Sequence, residues 1–297
     1  MNTARWIGAA VVLEFGLGIG AAVLLQPPAP ITVGQAVSAF RAHSATAKIT
    51  THHPIRTIAE SSEVPTGTTA VRTPSATSAK EVVPVAGTAP VALGLVTAQP
   101  GVYVYDTTGQ EQVDQPNKTT HTYPHSTTVT ASGSPCDASL LWQPIEGRSL
   151  EITGCYDHGA FRVTGMSTTQ TFFGYRTRAV YTCPGKNIAM PAAPKADTSW
   201  HFACDSARSH AAIAVTVIGT EARTVENTTL QTWHVRFDTN LTGATRGTEN
   251  YDFWFSSRDA LPIAINSATD VMQDTSFGSV HYVESFALAL AQLHPHT

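Results

Sequence analysis

Residues 231–239, QTWHVRFDT, decide the fold class of this chain. Apolar and polar side chains alternate along them: Trp233, Val235 and Phe237 against His234, Arg236 and Asp238. Successive side chains of a β-strand point to opposite faces of its sheet. The alternation therefore predicts a strand with one face on a core and the other facing a wetter environment.

Ten further runs of the same character surround this stretch, rich in β-branched and aromatic residues and separated by turn residues. They read GVYVYDTT (101–108), SLLWQPI (139–145), SLEITGC (149–155), AFRVTG (160–165), RAVYTC (178–183), SWHFAC (199–204), AAIAVTVIG (211–219), NYDFWFS (250–256), LPIAIN (261–266) and GSVHYVESFALAL (278–290). Because no helical segment of ten residues lies between them, parallel βαβ units are excluded. The sequence predicts a mainly β domain over residues 99–297, an antiparallel meander that forms a half-barrel, a barrel or a sandwich. Residues 286–293 fit a strand or a short helix, and we assign them to the last strand.

Composition and charge limit the classes of function. Charged residues make up 13% of the 297 residues and hydrophobic residues 42%, so a packed core is expected and wholesale disorder is excluded. The net charge of −4 argues against a nucleic-acid partner. Six Lys or Arg and four Asp or Glu lie in residues 1–100, against twelve and eighteen in residues 101–297, so the predicted domain is acidic. The sequence contains no phosphate-binding, zinc-hydrolase or nucleophile-elbow pattern, and we predict neither an enzyme nor a cofactor.

Residues 6–25, WIGAAVVLEFGLGIGAAVLL, predict a transmembrane signal anchor. Twenty helical residues span about 30 Å, the thickness of the hydrocarbon core. Arg5 and the amino terminus keep residues 1–5 in the cytoplasm and place the later domain outside, as a single-pass protein of the cell membrane. The alternative is a cleaved signal peptide and a secreted protein. Glu14, near the middle of the span, fits either a contact with a partner helix, with Gly16 and Gly20 in G-x-x-x-G spacing, or a protonated carboxyl in an apolar helix.

Residues 26–98 predict a linker. They are rich in Thr, Ser, Pro and Ala, and Phe40 is their only aromatic residue. Pro and Gly recur too often for a regular element, and too little apolar surface is present to offset the entropy of ordering. Val33, Val37 and Phe40 have helical spacing, which indicates one short helix before an extended, disordered spacer.

The four cysteines, Cys136, Cys155, Cys183 and Cys204, all lie in the predicted β domain. Four cysteines allow three pairings. Pairing of neighbours would close two loops of about twenty residues, each worth roughly 3 kcal/mol. The alternative roles are a metal site or a redox pair, but C-x-x-C spacing is missing. We predict two structural disulfides in an oxidising compartment and no metal site.

Several of these segments resemble a known group of proteins. The runs PGVYVYDTTGQEQV, HTYPHSTTVT, FFGYRTRAVYTC, TSWHFAC and NLTGATRGTENYDFWFS, over residues 99–293, resemble uncharacterised single-anchor exported β-domain proteins of actinobacteria. VIGTEARTV, with the strands that end in WFSSRDALPI, is more loosely similar to half-barrel envelope proteins of the LolA/LppX type. That second resemblance implies a curved antiparallel sheet that holds an acyl chain in its concavity.

Few residues suggest chemistry. His121 and His125 in HTYPH could bind a metal on a helix, but on a strand four residues span about 13 Å, which favours a solvated pair. Glu249 and Asp252 could form a catalytic carboxylate pair, and His294 and His296 fit a frayed terminus. Asn117, Asn227 and Asn240 fit N-x-[ST]. Recurrent aromatic residues fit either a filled core or an apolar cavity: Tyr103, Tyr105, Trp142, Phe172, Phe173, Tyr175, Trp200, Trp233, Trp254 and Phe255.

Two functions therefore remain open. The first is a non-enzymatic, membrane-anchored extracytoplasmic binding module for a lipid or other apolar ligand, held at the membrane by residues 6–25. The second is a structural or interaction protein of the cell envelope, with a packed β domain and an envelope protein as its partner. The sequence assigns no catalytic residue and no ligand-binding residue. An open concavity of several hundred Å³ would favour the first function and a filled interior the second.

Overall fold

The fold is seen in a computed structural model that describes residues 27–50, 95–185, 187–276 and 278–297, without the side chains of residues 47–50. They form one helix, α1 (Val33–Thr50), and fourteen strands. The strands are β1 (Gly101–Val113), β2 (Thr119–Thr122), β3 (Ser126–Ser132), β4 (Ala138–Ile145), β5 (Arg148–Asp157), β6 (Ala160–Phe172), β7 (Tyr175–Thr182), β8 (Ile188–Met190), β9 (Thr198–Asp205), β10 (Ser209–Val225), β11 (Thr228–Gly243), β12 (Thr245–Ser256), β13 (Pro262–Thr275) and β14 (Gly278–Leu290).

The strands form a single antiparallel sheet arranged as a ring. Its order follows the chain from β3 to β14, with β2 beside β1, β8 paired only with β6, and β7 next to β9. β1 pairs with β3 on one side and with β14 on the other, so the first and last long strands close the ring. The mainly β, antiparallel fold predicted from the sequence is therefore confirmed.

The seam between β1 and β14 depends on a glycine. Gly109 lies opposite Phe286 with a φ of 145°, a conformation that side-chain-bearing residues rarely adopt. A Cβ there would lie 2.4 Å from the carbonyl oxygen of Ser285. The two backbones can come this close only because residue 109 has no side chain.

A second contact in the ring, between β7 and β9, is much narrower. One residue pair, Thr182 with Asp205, joins the two strands. The β6–β7 hairpin therefore extends past the end of β9. Its tip, residues 172–175, reaches the far side of the ring, where Phe172 stacks on His121 of β2 at 4.5 Å between ring centroids.

Inward-facing side chains of nearly every strand form one core. On β11, Val235, Phe237 and Leu241 are buried while Arg236 and Asp238 are exposed, as the alternation predicted. On β1 it is Tyr103 and Tyr105 that face the core. Val102 faces outward and is also buried, and its backbone N–H and C=O both bond to His296 at 2.9 Å. The C-terminus is thus held in place, unlike the frayed end expected from His294 and His296.

Helix α1 lies against the outside of the ring. Thr32 caps the N-terminus of this helix. Its Oγ1 accepts a hydrogen bond from the backbone N–H of Gln35, and the side-chain oxygen of Gln35 accepts one from the backbone N–H of Thr32. Before the helix, the Ile31 N–H donates to the Pro144 carbonyl, and the Glu146 N–H donates to that of Ala29. The short helix predicted from Val33, Val37 and Phe40 therefore runs for 18 residues, and residues assigned to the linker by composition contact the sheet.

Both disulfides are present, with the neighbouring cysteines paired. Cys136 bonds to Cys155 and Cys183 to Cys204, and no cysteine is free. The second bond joins the chain just after β7 to β9, beside the narrow contact between these two strands. It therefore reinforces the ring where few backbone hydrogen bonds hold it.

Three of the fourteen strands, β2, β3 and β8, have no counterpart among the eleven predicted runs. β2 reads TTHT and β8 has three residues, so neither shows a long apolar alternation. Within the described part of the chain no helix has both the length and the apolarity to cross a bilayer. The predicted anchor at residues 6–25 and most of the predicted linker lie outside the described residues.

Candidate functional site

Polar side chains form a row across the inner face of six neighbouring strands. Cross-strand partners connect them in order: Thr239 on β11, Glu249 on β12, Thr269 on β13, Glu284 on β14, Glu111 on β1 and His121 on β2. Glu111 and Glu284 are 1% and 2% exposed. Carboxylates are almost never buried so fully without partners, so each needs a compensating group.

Arg148 supplies that group from the opposite wall. This fully buried residue begins β5, and its Nε and Nη2 donate to the two carboxylate oxygens of Glu284 at 2.8 and 2.7 Å. Its Nε is also 3.8 Å from Glu111. Burial is the largest single effect on Arg148 and opposes its charge, but the charge and hydrogen bonds of Glu284, together with Tyr282 and Tyr123, hold the pKa of the guanidinium above its ordinary value.

Two tyrosines and a histidine complete the cluster. The Tyr282 hydroxyl donates to Glu111 at 3.0 Å, and the Tyr123 hydroxyl donates to Glu284. His121 Nδ1 lies 2.9 Å from the other oxygen of Glu111. Burial, and next the charge of Glu284, raise the pKa of both tyrosines, so both stay neutral hydrogen-bond donors.

Glu249 is the carboxylate of the row that has no such partner. Within the described part of the chain it makes no hydrogen bond and no ion pair. It lies deep inside the ring, and the surface it keeps lines an internal cavity. Burial and the nearby charge of Glu284 raise its pKa to about 7, against a smaller opposing effect of Arg148.

The internal cavity, which we call the inner cavity, has a volume of about 80 Å³. Apolar side chains from both walls of the ring provide most of its lining, including Phe161, Phe202, Phe237, Phe253 and Phe255. Phe253 and Phe255 stack in parallel at 5.0 Å. The volume is enough for a few water molecules or a small head group, but not for an acyl chain.

A larger cavity opens at the end of the ring that holds the β6–β7 tip, and we call it the mouth cavity. Its volume is about 480 Å³, within the range of roughly 300–1,000 Å³ typical of small-molecule sites. Val113, Pro116, Phe172, Val280 and Tyr282 line it. Gln170 and Gln273 line both cavities, so these two side chains stand between the mouth and the interior.

The β6–β7 tip is held in an unfavourable backbone conformation. Phe173 and Gly174 form its two-residue turn with φ values of 53° and 74°. Such turns favour Asn-Gly, and a bulky residue at positive φ is an outlier. The conformation places Phe173 and Tyr175 beside the mouth cavity. Strain of this kind is concentrated at ligand sites.

A second polar cluster lies on the outer face of β10–β12. His234 bridges two carboxylates: its Nδ1 is 3.0 Å from Glu221 and its Nε2 is 2.7 Å from Asp252. The imidazole also stacks on Trp254, whose other neighbour is the Arg223 guanidinium at 4.1 Å. Every member has a partner within the cluster, so the arrangement braces the strands and offers no open site.

The structure separates the residues that the sequence had grouped. Glu249 faces the interior and Asp252 the outer face, so they form no carboxylate pair. His121 joins Glu111 inside the ring, whereas His125 is exposed. Among the described residues, no group of three or more His, Cys, Asp or Glu could hold a metal ion.

The buried ion cluster was not predicted from the sequence. Glu111 and Glu284 lie at inward-facing positions of their strands, two residues from Val113 and Tyr282 respectively. A charged residue at an inward-facing position of a strand was the sequence signal that could have revealed the cluster. Arg148 directly follows the Glu146–Gly147 turn and gave no such signal. Comparison of the chain with models of protein families, with curated proteins and with solved structures finds no match.

Proposed function

We propose that this protein is a non-enzymatic binding module that takes a small apolar or amphiphilic ligand into the ring through the mouth cavity. The main observation in support is the mouth cavity, an apolar cavity of about 480 Å³ that shares the lining residues Gln170 and Gln273 with the inner cavity. Residues 6–25 would anchor the module at the membrane and keep residues 99–297 outside the cytoplasm. The two disulfides support that location, since such bonds persist in oxidising compartments.

In this proposal the mouth cavity holds the apolar part of the ligand and the inner cavity holds its polar end. The inner cavity is too small for a chain, so the apolar body would lie in the mouth cavity against Phe172 and Val280. The polar end would pass Gln170 and Gln273, whose side chains can rotate and can exchange hydrogen bonds with it. The loose resemblance to half-barrel envelope proteins of the LolA/LppX type, which hold an acyl chain in a concavity, suggests a lipid-like ligand.

Blocking the mouth tests this function. The full chain and its Val280→Trp variant, which fills the mouth cavity, are purified in parallel from the same cells and extracted with organic solvent. Val180→Trp is the matched control, because Val180 is 53% exposed on the outer face of β7. Mass spectrometry of the extracts should show a species carried by the unmodified chain and by Val180→Trp but lost from Val280→Trp. Equal extracts from all three proteins would refute the proposal.

A second function, a structural or interaction protein of the envelope, is favoured by the small inner cavity. The ring is nearly filled by its own side chains, so it would act as a rigid body that contacts a partner through its loops. Val180 and Ile218, 53% and 39% exposed, are apolar groups on its outside. Cross-linking in intact envelopes tests it: this function predicts one protein partner, whose capture is reduced by Val180→Asp and unchanged by Val280→Trp.

A further inference from the structure

We propose that the ring selects an amphiphile with an amine head group, which forms an ion pair with Glu249 in the inner cavity. This inference rests on the proposed binding function and names the class of ligand. It is carried by the charges inside the ring, the polar atoms that lack partners and the position of Glu249 on the cavity wall.

The charges inside the ring do not balance. Glu111, Glu284 and Glu249 lie in one cross-strand row, and Arg148 is the single Arg or Lys among the described residues that reaches it. Both carboxylate oxygens of Glu284 are already bound to Arg148. Glu111 is bound by Tyr282 and His121. The third carboxylate, Glu249, can reach charge balance only by taking up a proton or a cation.

A neighbouring hydroxyl also lacks a partner. Thr269 lies between Glu249 and Glu284 in the row, is 4% exposed, and its Oγ1 makes no hydrogen bond. Leaving a buried hydroxyl unpaired costs about 1–3 kcal/mol. An ammonium group at Glu249 has three N–H donors, so it could bond to this hydroxyl oxygen as well as to the carboxylate.

The same arrangement disfavours a carboxylate ligand. A fatty acid entering through the mouth would bring a fourth negative charge towards the row, and the guanidinium that could receive it is occupied by Glu284. Like charges in a water-poor interior repel strongly. The ring should therefore bind an amine better than an alcohol of equal length, and an alcohol better than an acid.

The titratable groups around Glu249 set the pH at which this selection operates. Glu284 on β14 and Tyr251 on β12 share its surroundings, Tyr181 faces it from β7, and Arg148 acts on it from β5. The raised pKa of Glu249, about 7, means that the carboxylate is charged above neutrality and neutral in acid. The advantage of the amine should be largest near pH 8 and small near pH 5.

Calorimetry with three octyl compounds tests the inference. Octylamine, octanol and octanoate are titrated near pH 8 into the full chain in lipid nanodiscs, with empty nanodiscs as the blank. We expect octylamine to bind about tenfold more tightly than octanol, as for a charge-assisted contact, and octanoate to bind most weakly. Glu249→Gln should remove the advantage of octylamine, while Glu226→Gln, on an exposed turn at the other end of the ring, should keep it.

The outcomes separate this inference from the proposed function. Equal binding of all three compounds, lost in Val280→Trp, would overturn the selection by Glu249 and leave the binding function standing. Unchanged preference for octylamine in Glu249→Gln would also overturn it. Should none of the compounds bind, and the extracts of Val280→Trp match those of the unmodified chain, both proposals fail.

Discussion

Glu249→Gln should make the stability of this protein less dependent on pH. Folding raises the pKa of the Glu249 carboxyl from 4.5 to about 7, first because of burial and then because of Glu284. Below about pH 4.5 the carboxyl is protonated in both the folded and the unfolded chain, so it has no effect. As the pH rises towards 7, the unfolded chain loses its proton first, and the folded state becomes progressively less stable.

The size of the effect follows from the two pKa values. Each unit of difference between the folded and the unfolded pKa corresponds to about 1.36 kcal/mol. The ionised carboxyl therefore destabilises the folded state by about 3 kcal/mol above neutrality. That is a large part of the 5–15 kcal/mol typical of a folded domain. Glutamine has nearly the same shape and no charge, so the variant should be more stable than the unmodified chain near pH 8 and equally stable near pH 4.

Urea unfolding of the full chain in detergent, followed by tryptophan fluorescence from about pH 4 to pH 8, measures this difference. Glu226→Gln is the control for the loss of one negative charge, because Glu226 is exposed on the β10–β11 turn. If the curves of stability against pH for Glu249→Gln and the unmodified chain run parallel over the whole range, the assignment of Glu249 as an unpaired buried carboxyl is wrong.

Three further predictions concern the ring itself. Arg148→Met should lower the free energy of unfolding by about 3–5 kcal/mol, because it leaves Glu284 charged and unpaired. The double variant Arg148→Met/Glu284→Leu should regain part of this stability, and urea unfolding of both variants measures the difference. Replacing Cys183 and Cys204 together by serine should cost about 3 kcal/mol, the closure entropy of a 21-residue loop, with a lower urea midpoint; an unchanged midpoint would contradict it. Gly109→Ala should cost more than about 1 kcal/mol and speed amide hydrogen exchange along the β1–β14 seam, whereas Gly219→Ala, with open space at its Cβ, should leave that seam protected.

The alternation in QTWHVRFDT and the runs around it was enough to predict an antiparallel β domain, because the two faces of a strand are set by neighbouring residues alone. The same local reasoning predicted the start of α1 from Val33, Val37 and Phe40. It missed β2, β3 and β8, of which β2 and β8 are too short to show a period. For the cysteines, short spacing along the chain favoured pairs that the structure confirms.

The candidate site depends on contacts between residues that are remote in the chain. Arg148 and Glu284 are 136 residues apart, and they meet only because β1 and β14 close the ring and set the register of the polar row. Register, closure and cavity volume are properties of the whole sheet, and a shift of one residue in the pairing of β12 would turn Glu249 from the interior to the outer face. The sequence by itself determined strands, turns and neighbouring disulfides, since these follow from local periodicity and spacing. Only the tertiary structure decided which carboxylate stays unpaired, because pairing in a low-dielectric interior depends on distances of a few Å between strands that are far apart in the chain.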